Sequence, residues 1–168
     1  MENPLAVANF FISKGLGDGQ PPDPMKVQKL VYFGHGWHLA FYKNPLIDEF
    51  IEAWPYGPVV PTIYHEFKKY GPNPITNLAC DLVGDQLVPY KVTSPQVIPL
   101  LDRVWQVYKP LSALALSELT HRAGSPWHTT WEQFGKLGIR GANIGNDLIK
   151  AHFDAQLRKN LESAKKTA

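Results

Sequence analysis

Six histidines and one cysteine are the side chains of this 168-residue chain best suited to ligating a metal or acting as a nucleophile. His35 and His38 are three apart, a spacing that shares one face of a helix. His65-Glu66 opens like the helix of a zinc protease. That chemistry needs a second histidine four residues after the first, where this chain has Lys69. His121 and His128 flank Gly124-Ser125-Pro126 and could converge across that turn. A single cysteine, Cys80, excludes an internal disulfide and any all-cysteine zinc cage. The chain contains no Gly-x-Ser-x-Gly elbow and no phosphate loop ending in Gly-Lys-Ser/Thr. The histidines are therefore expected to be hydrogen-bonded structural groups. No catalytic residue, cofactor or metal is assigned.

The composition agrees with a binding role. Seventeen Lys and Arg face fifteen Asp and Glu, a net charge of +2, with no basic stripe of the kind a nucleic-acid partner requires. No window approaches the roughly 18 apolar residues of a membrane span, so no membrane partner is expected and the cytoplasm is the default location. The chain is 44% hydrophobic and 12% aromatic. It can fill one core at the usual length of a domain. Trp37 and Trp54 are the tryptophans expected to support that core.

The elements that must carry these residues are read from one recurring device, a short polar residue followed by proline. Asn3-Pro4, Asp23-Pro24, Ser94-Pro95 and Ser125-Pro126 each suit a helix start. The side-chain oxygen accepts from an orphan N–H, while proline at the first helical position has none to lose. The predicted helices run from Pro4 to Ser13, Pro24 to Tyr42, Pro61 to Tyr70, Pro95 to Tyr108, Ala113 to Arg122 under a Ser112 cap, Pro126 to Phe134, and Asp147 to Ser163. Gly34 and Gly36 inside the second predict close approach of a neighbour, the first helix being the candidate. Ile51 to Trp54 suits a short strand, and Gln86 to Val92 an edge strand, since Pro89 cannot donate to a central ladder. Residues 73–93 otherwise read as irregular. The expected architecture is mainly α, a single compact domain of about seven helices with a small β element.

The most unusual segment is Ile51 to Pro61, IEAWPYGPVVP. It gathers Trp54, Tyr56, Pro58 and, just beyond, Tyr64 where no long regular element fits. One reading is a rigid packed turn. The other is a partner-facing surface, because Trp and Tyr are enriched where interfaces are strongest.

These residues also carry a resemblance. Lys26, Gln28, Lys29, Leu30 and Tyr32, continuing through Gly36, Trp37 and Leu39, resemble the first block of the Panacea-domain, or SocA-like (also GepA-like), antitoxin family. Glu52, Ala53, Trp54, Tyr56, Gly57, Pro58 and Val59 are similar to its second block. Leu116 to Trp127, with Thr120, His121 and Trp127, is similar to a third. The resemblance spans about residues 5–153 and implies an antitoxin of bacteria, phages or mobile elements. Such a protein neutralises a cognate toxin encoded nearby by direct binding, and no catalytic residue carries over. Some members have an added DNA-binding domain, for which 168 residues leave no spare length. A DNA-binding regulator using Lys26, Lys29, Lys68 and Lys69 and a metal-dependent enzyme are the competing readings. Association into a homo-oligomer stays open.

Overall fold

The computed structural model describes residues 1–139 and 141–167. Seven α-helices are seen among them: α1 (Pro4–Gly17), α2 (Pro24–Tyr42), α3 (Pro61–Phe67), α4 (Ile98–Tyr108), α5 (Ala113–His121), α6 (Pro126–Gln133) and α7 (Asn146–Thr167). Five short strands accompany them: β1 (Ile51–Trp54), β2 (Gly57–Val59), β3 (Cys80–Val83), β4 (Gln86–Pro89) and β5 (Ala142–Ile144). The mainly helical fold with a small β element is the one the sequence predicts. Its strands are antiparallel, in the order β2-β1-β5 and as a separate β3-β4 hairpin.

The polar caps act at the chemistry expected of them. Asn3, Asp23, Ser112 and Ser125 each accept a backbone N–H from the first turn of α1, α2, α5 and α6. Ser94-Pro95 is the exception. The Ser94 N–H is taken by the buried Glu2 carboxylate at 2.9 Å, Pro95 opens a turn, and α4 begins only at Ile98 with no side-chain cap. The Ser94 pair reads like a cap in sequence, but α4 starts three residues beyond Pro95 with no side-chain cap, and the Ser94 N–H is held by a carboxylate some ninety positions away.

α2 is the central helix. Most of its residues are buried, against α1, α3, α4, α5 and α7, which is why its sequence shows so little polar face. Its glycines do mark close approach, but the neighbours differ from those predicted. A Cβ on Gly36 would collide with the Phe153 ring of α7. Gly34 faces Leu101 of α4 and Leu46, with Phe11 of α1 further off. Around the Gly36 contact, Phe33 stacks on Tyr108 at 4.4 Å between centroids, and Trp37 meets Phe153 edge-on at 5.1 Å. The Trp37 indole N–H donates to the Tyr108 hydroxyl at 3.0 Å.

Two further elements depart from the sequence reading. Residues 80–89 form a β-hairpin around Gly84-Asp85, with Gly84 at φ +60°, the positive φ that a two-residue turn places at its first position. Leu82, Val83, Leu87 and Val88 are all exposed on it, so no apolar face announced β3. Likewise β5 lies in a glycine-rich stretch and is too short for a pattern. It exists because Ile51, Glu52 and Ala53 of β1 offer an edge to pair with. The fully buried tryptophan is Trp105, at 1% exposure, and Trp127 follows at 5%, whereas Trp37 and Trp54 are only partly buried.

Candidate functional site: a turn held from beneath

β1 and β2 are joined by Pro55 and Tyr56, with Trp54 opposite Gly57. Gly57 adopts φ +106°, and a Cβ there would lie 2.7 Å from the Lys29 ammonium, so only glycine closes this turn. The turn presents its side chains outward and its carbonyls inward. Tyr56 is 75% exposed. Trp54 is half-buried and packs against Tyr64 of α3, with ring centroids 4.8 Å apart. Its indole N–H donates to Glu52 Oε2 at 2.7 Å, which fixes the ring from the strand beside it.

Side chains from three helices receive the inward carbonyls. Trp127 of α6 donates its indole N–H to the Trp54 carbonyl at 2.8 Å. The Ser117 hydroxyl of α5 donates to the Tyr56 carbonyl at 3.0 Å. Lys29 of α2 donates to the Pro58 carbonyl at 3.1 Å. His121 Nε2 lies 3.4 Å from the Pro55 carbonyl, and His121 Nδ1 faces the Ser117 carbonyl at 2.6 Å. Two residues beyond Pro58, Gln28 clamps Val60 both ways, donating to its carbonyl at 3.0 Å and accepting its N–H at 2.8 Å. Beside the short β1–β2 ladder, side chains thus satisfy the carbonyls of Trp54, Tyr56 and Pro58 and both backbone groups of Val60. Each such bond contributes about 1 kcal/mol net, and leaving one of these buried groups unpaired costs more.

This arrangement gives the motif residues their positions. Lys29, Tyr32, Ala53, Gly57, Pro58, Val59, Thr120 and Trp127 are buried, while Glu52 and His121 are half-buried. Thr120 donates to the Ser117 carbonyl at 2.7 Å and shapes the last turn of α5. Leu30 is core, and the Lys26 ammonium donates to the Lys109 carbonyl at 2.8 Å. Pro58, expected among the partner contacts, is buried, and its carbonyl anchors the turn. Ser117 was missed. Its signal is the spacing of Ser117, Thr120 and His121 at i, i+3 and i+4 on one face of α5.

Two open clefts flank the presented aromatics. The larger, about 910 Å³, lies between Trp54, Tyr56 and Tyr64 on one side and Trp131 and Ile139 on the other, with Glu52 in its wall. The smaller, about 320 Å³, lies between the same aromatics, the start of α2 and the residues that follow the end of α3. Its lining includes Met25, Val59, Lys29 and Lys68. Burial pushes the Lys29 ammonium down to a pKa of about 7.

The histidines do not assemble. His35 is buried in α2 and hydrogen-bonds the Asn146 side chain at 2.8 Å, and His38 bonds the Asn44 carbonyl at 2.8 Å. His121 packs on the Trp127 ring, and His128 lies 3.9 Å from Glu132 instead. Among the described residues no group of three or more His, Cys, Asp or Glu could hold a metal. Nor is any helix long and apolar enough to cross a membrane. Of the lysines proposed for DNA, Lys29 is inside the protein.

The family described as "Antitoxin SocA-like, Panacea domain" matches residues 27–128, the stretch that contains both the turn and the side chains beneath it. The chain belongs to this family. A relative, Antitoxin SocA of Caulobacter vibrioides (strain NA1000 / CB15N), is 33% identical over 155 residues, covering 90% of this chain and 82% of the relative. No solved structure matches the chain. In this Panacea domain, the three motif blocks that lie far apart in sequence meet at one place, the Trp54–Gly57 turn.

Proposed function

We propose that this antitoxin-family protein neutralises a cognate toxin by direct, stoichiometric binding without catalysis, and that Trp54, Tyr56 and Tyr64 make the contact. The observation that carries this is the turn itself. Its backbone is anchored by buried donors from three helices, yet Tyr56 stands 75% exposed and Tyr64 38% exposed. Rigid, amphipathic aromatics already held in place lose little conformational freedom on binding, so more of their contact energy appears as affinity. The name of the Caulobacter relative supports the antitoxin reading. In this reading the buried members of the motif shape the turn and do not touch the toxin.

The test is co-expression with the product of the gene beside its own. That product alone should arrest growth. Growth should return in proportion to the ratio of the two proteins, as mass action requires of a non-catalytic inhibitor. Rescue at trace amounts of the antitoxin would show turnover and end the stoichiometric reading.

A further inference from the structure

Glu52 is a carboxylate set among aromatic rings. It shares the outward face of β1 with Trp54, since Ile51 and Ala53 alternate into the core. Where its charge lies is fixed by what its oxygens meet. Oε2 accepts the Trp54 indole N–H at 2.7 Å, and a Cβ on Gly141 would lie 2.9 Å from the same atom. Trp54 and Gly141 both line the larger cleft, so the charged end of Glu52 is in the wall and not only its stem. Among the described residues Glu52 is the one charged group of that lining, and it takes part in no salt bridge. One indole N–H leaves most of the lone-pair capacity of a carboxylate unused.

The rest of the lining is a frame of rings held in place. Trp54 packs on Tyr64, with centroids 4.8 Å apart. Across the cleft Trp131 stacks on Trp127, with centroids 5.4 Å apart and planes 11° from parallel, and a Cβ on Gly135 would collide with the Trp131 ring. Tyr56 and Ile139 are the exposed large side chains of the lining, at 75% and 50%. Such a cleft attracts a cation twice over, through the carboxylate and through the negative faces of the rings. It repels an anion, and a purely apolar occupant would strip water from Glu52 without replacing it. A guanidinium answers both features, being planar, weakly hydrated and able to donate two parallel hydrogen bonds to a carboxylate.

We propose that the cleft between the Trp54–Gly57 turn and Trp131 receives a cationic side chain of the toxin, arginine fitting it best, with Glu52 as its counter-charge and Trp54, Tyr56 and Trp131 around it. This rests on the antitoxin reading and assigns the chemistry of its contact. A cleft of about 910 Å³ has room for such a side chain and for part of the segment that carries it. The pair forms beside ring faces and partly out of water, which makes it stronger than one on an open rim. Glu52 then has two tasks, which one substitution separates: its oxygen positions the Trp54 ring, and its charge receives the toxin.

Glu52→Gln keeps an oxygen acceptor for the Trp54 indole and removes the charge. It should melt with the wild type, yet bind the purified product of the neighbouring gene about tenfold more weakly or worse. Replacing the Arg and Lys residues of that toxin one at a time by Gln should identify one whose loss weakens binding to the wild type but not further to Glu52→Gln. A second pair of variants leaves Glu52 untouched: at the exposed Ile139, Ile139→Lys should bind the toxin more weakly than Ile139→Glu. A folded Glu52→Gln that binds at wild-type affinity, the absence of any coupled basic residue, or equal affinities for the two Ile139 variants overturns the proposal while the aromatic contact stands. A toxin-free dimer that Glu52→Gln dissolves overturns it in favour of a second copy of this chain. Arg140 lies outside the described residues and next to Ile139 and Gly141 in sequence. If Arg140→Gln strengthens toxin binding to the wild type but not to Glu52→Gln, the chain's own arginine is the occupant and the proposal is overturned. If the wild type binds no toxin at all, the antitoxin reading fails and the proposal with it.

Discussion

The α2–α7 seam and the Trp54–Gly57 turn are built from the same kinds of residue, glycine next to large aromatics, and they do opposite things with them. At the seam Gly36 admits the Phe153 ring, and Trp37, Phe33 and Tyr108 close around it with their polar atoms paired inside the protein. At the turn Gly57 admits the Lys29 ammonium, and the aromatics point away from the core. In the seam apolar side chains are in the interior and hold two helices. In the turn the interior is polar and holds a backbone, which frees Tyr56 and part of Trp54 and Tyr64 for solvent. Residue type therefore does not separate scaffold from contact surface. The destination of the backbone carbonyls does.

The largest effect expected from disturbing this contrast is at the seam. Phe153→Ala, at a position 1% exposed, should cost about 3–5 kcal/mol in a denaturant titration. Gly36→Ala should cost about 1–3 kcal/mol by overpacking, and clearly less when Phe153 is already alanine. Full additivity of the two would mean that Gly36 does not serve the ring.

The seam should also be acid-sensitive. His35 is held neutral, its pKa lowered from 6.5 to about 4 by burial, and its Nδ1 has no partner among the described residues while the Asn146 oxygen accepts from Nε2. In the unfolded chain His35 takes up a proton near pH 6.5, but the folded protein resists until about pH 4. Stability from this group is therefore present above pH 6.5 and lost as the pH falls toward 4, by up to about 3 kcal/mol. Glu2 and Asp154 also contribute acid sensitivity, so the measurement is the difference in slope between wild type and His35→Gln from pH 7 to 4.5. Identical slopes would remove His35 from the account.

Effects at the turn should be smaller for stability and larger for binding. Trp127→Phe leaves the Trp54 carbonyl without its donor and should cost about 1–3 kcal/mol, with weakened toxin binding as the turn loosens. Tyr56→Ala should change stability by no more than about 0.5 kcal/mol, since the side chain is 75% exposed, while lowering toxin affinity. Tyr64→Ala should also spare the fold in large part. If both variants bind at wild-type affinity, the aromatic contact lies elsewhere on the surface.

Much of this protein was already present in its amino-acid order. The caps at Asn3, Asp23, Ser112 and Ser125 act within three residues of their own positions, so a local reading suffices for α1, α2, α5 and α6. The motif spacing likewise marks Trp54, Gly57, Lys29 and Trp127, and with them the family. What the chain order leaves open is where each of them faces. The Ser94 N–H is held by Glu2, β5 forms only against an edge supplied by β1, and Gly36 meets a helix more than a hundred positions away. Pro58 goes inward while Tyr56, two residues earlier, goes outward. That choice is made by Lys29, Ser117 and Trp127, which collect the carbonyls of the turn from three separate helices. A hydrogen bond inside one turn of helix is fixed by spacing along the chain, whereas a bond between segments sixty residues apart exists only once the core has packed both into place.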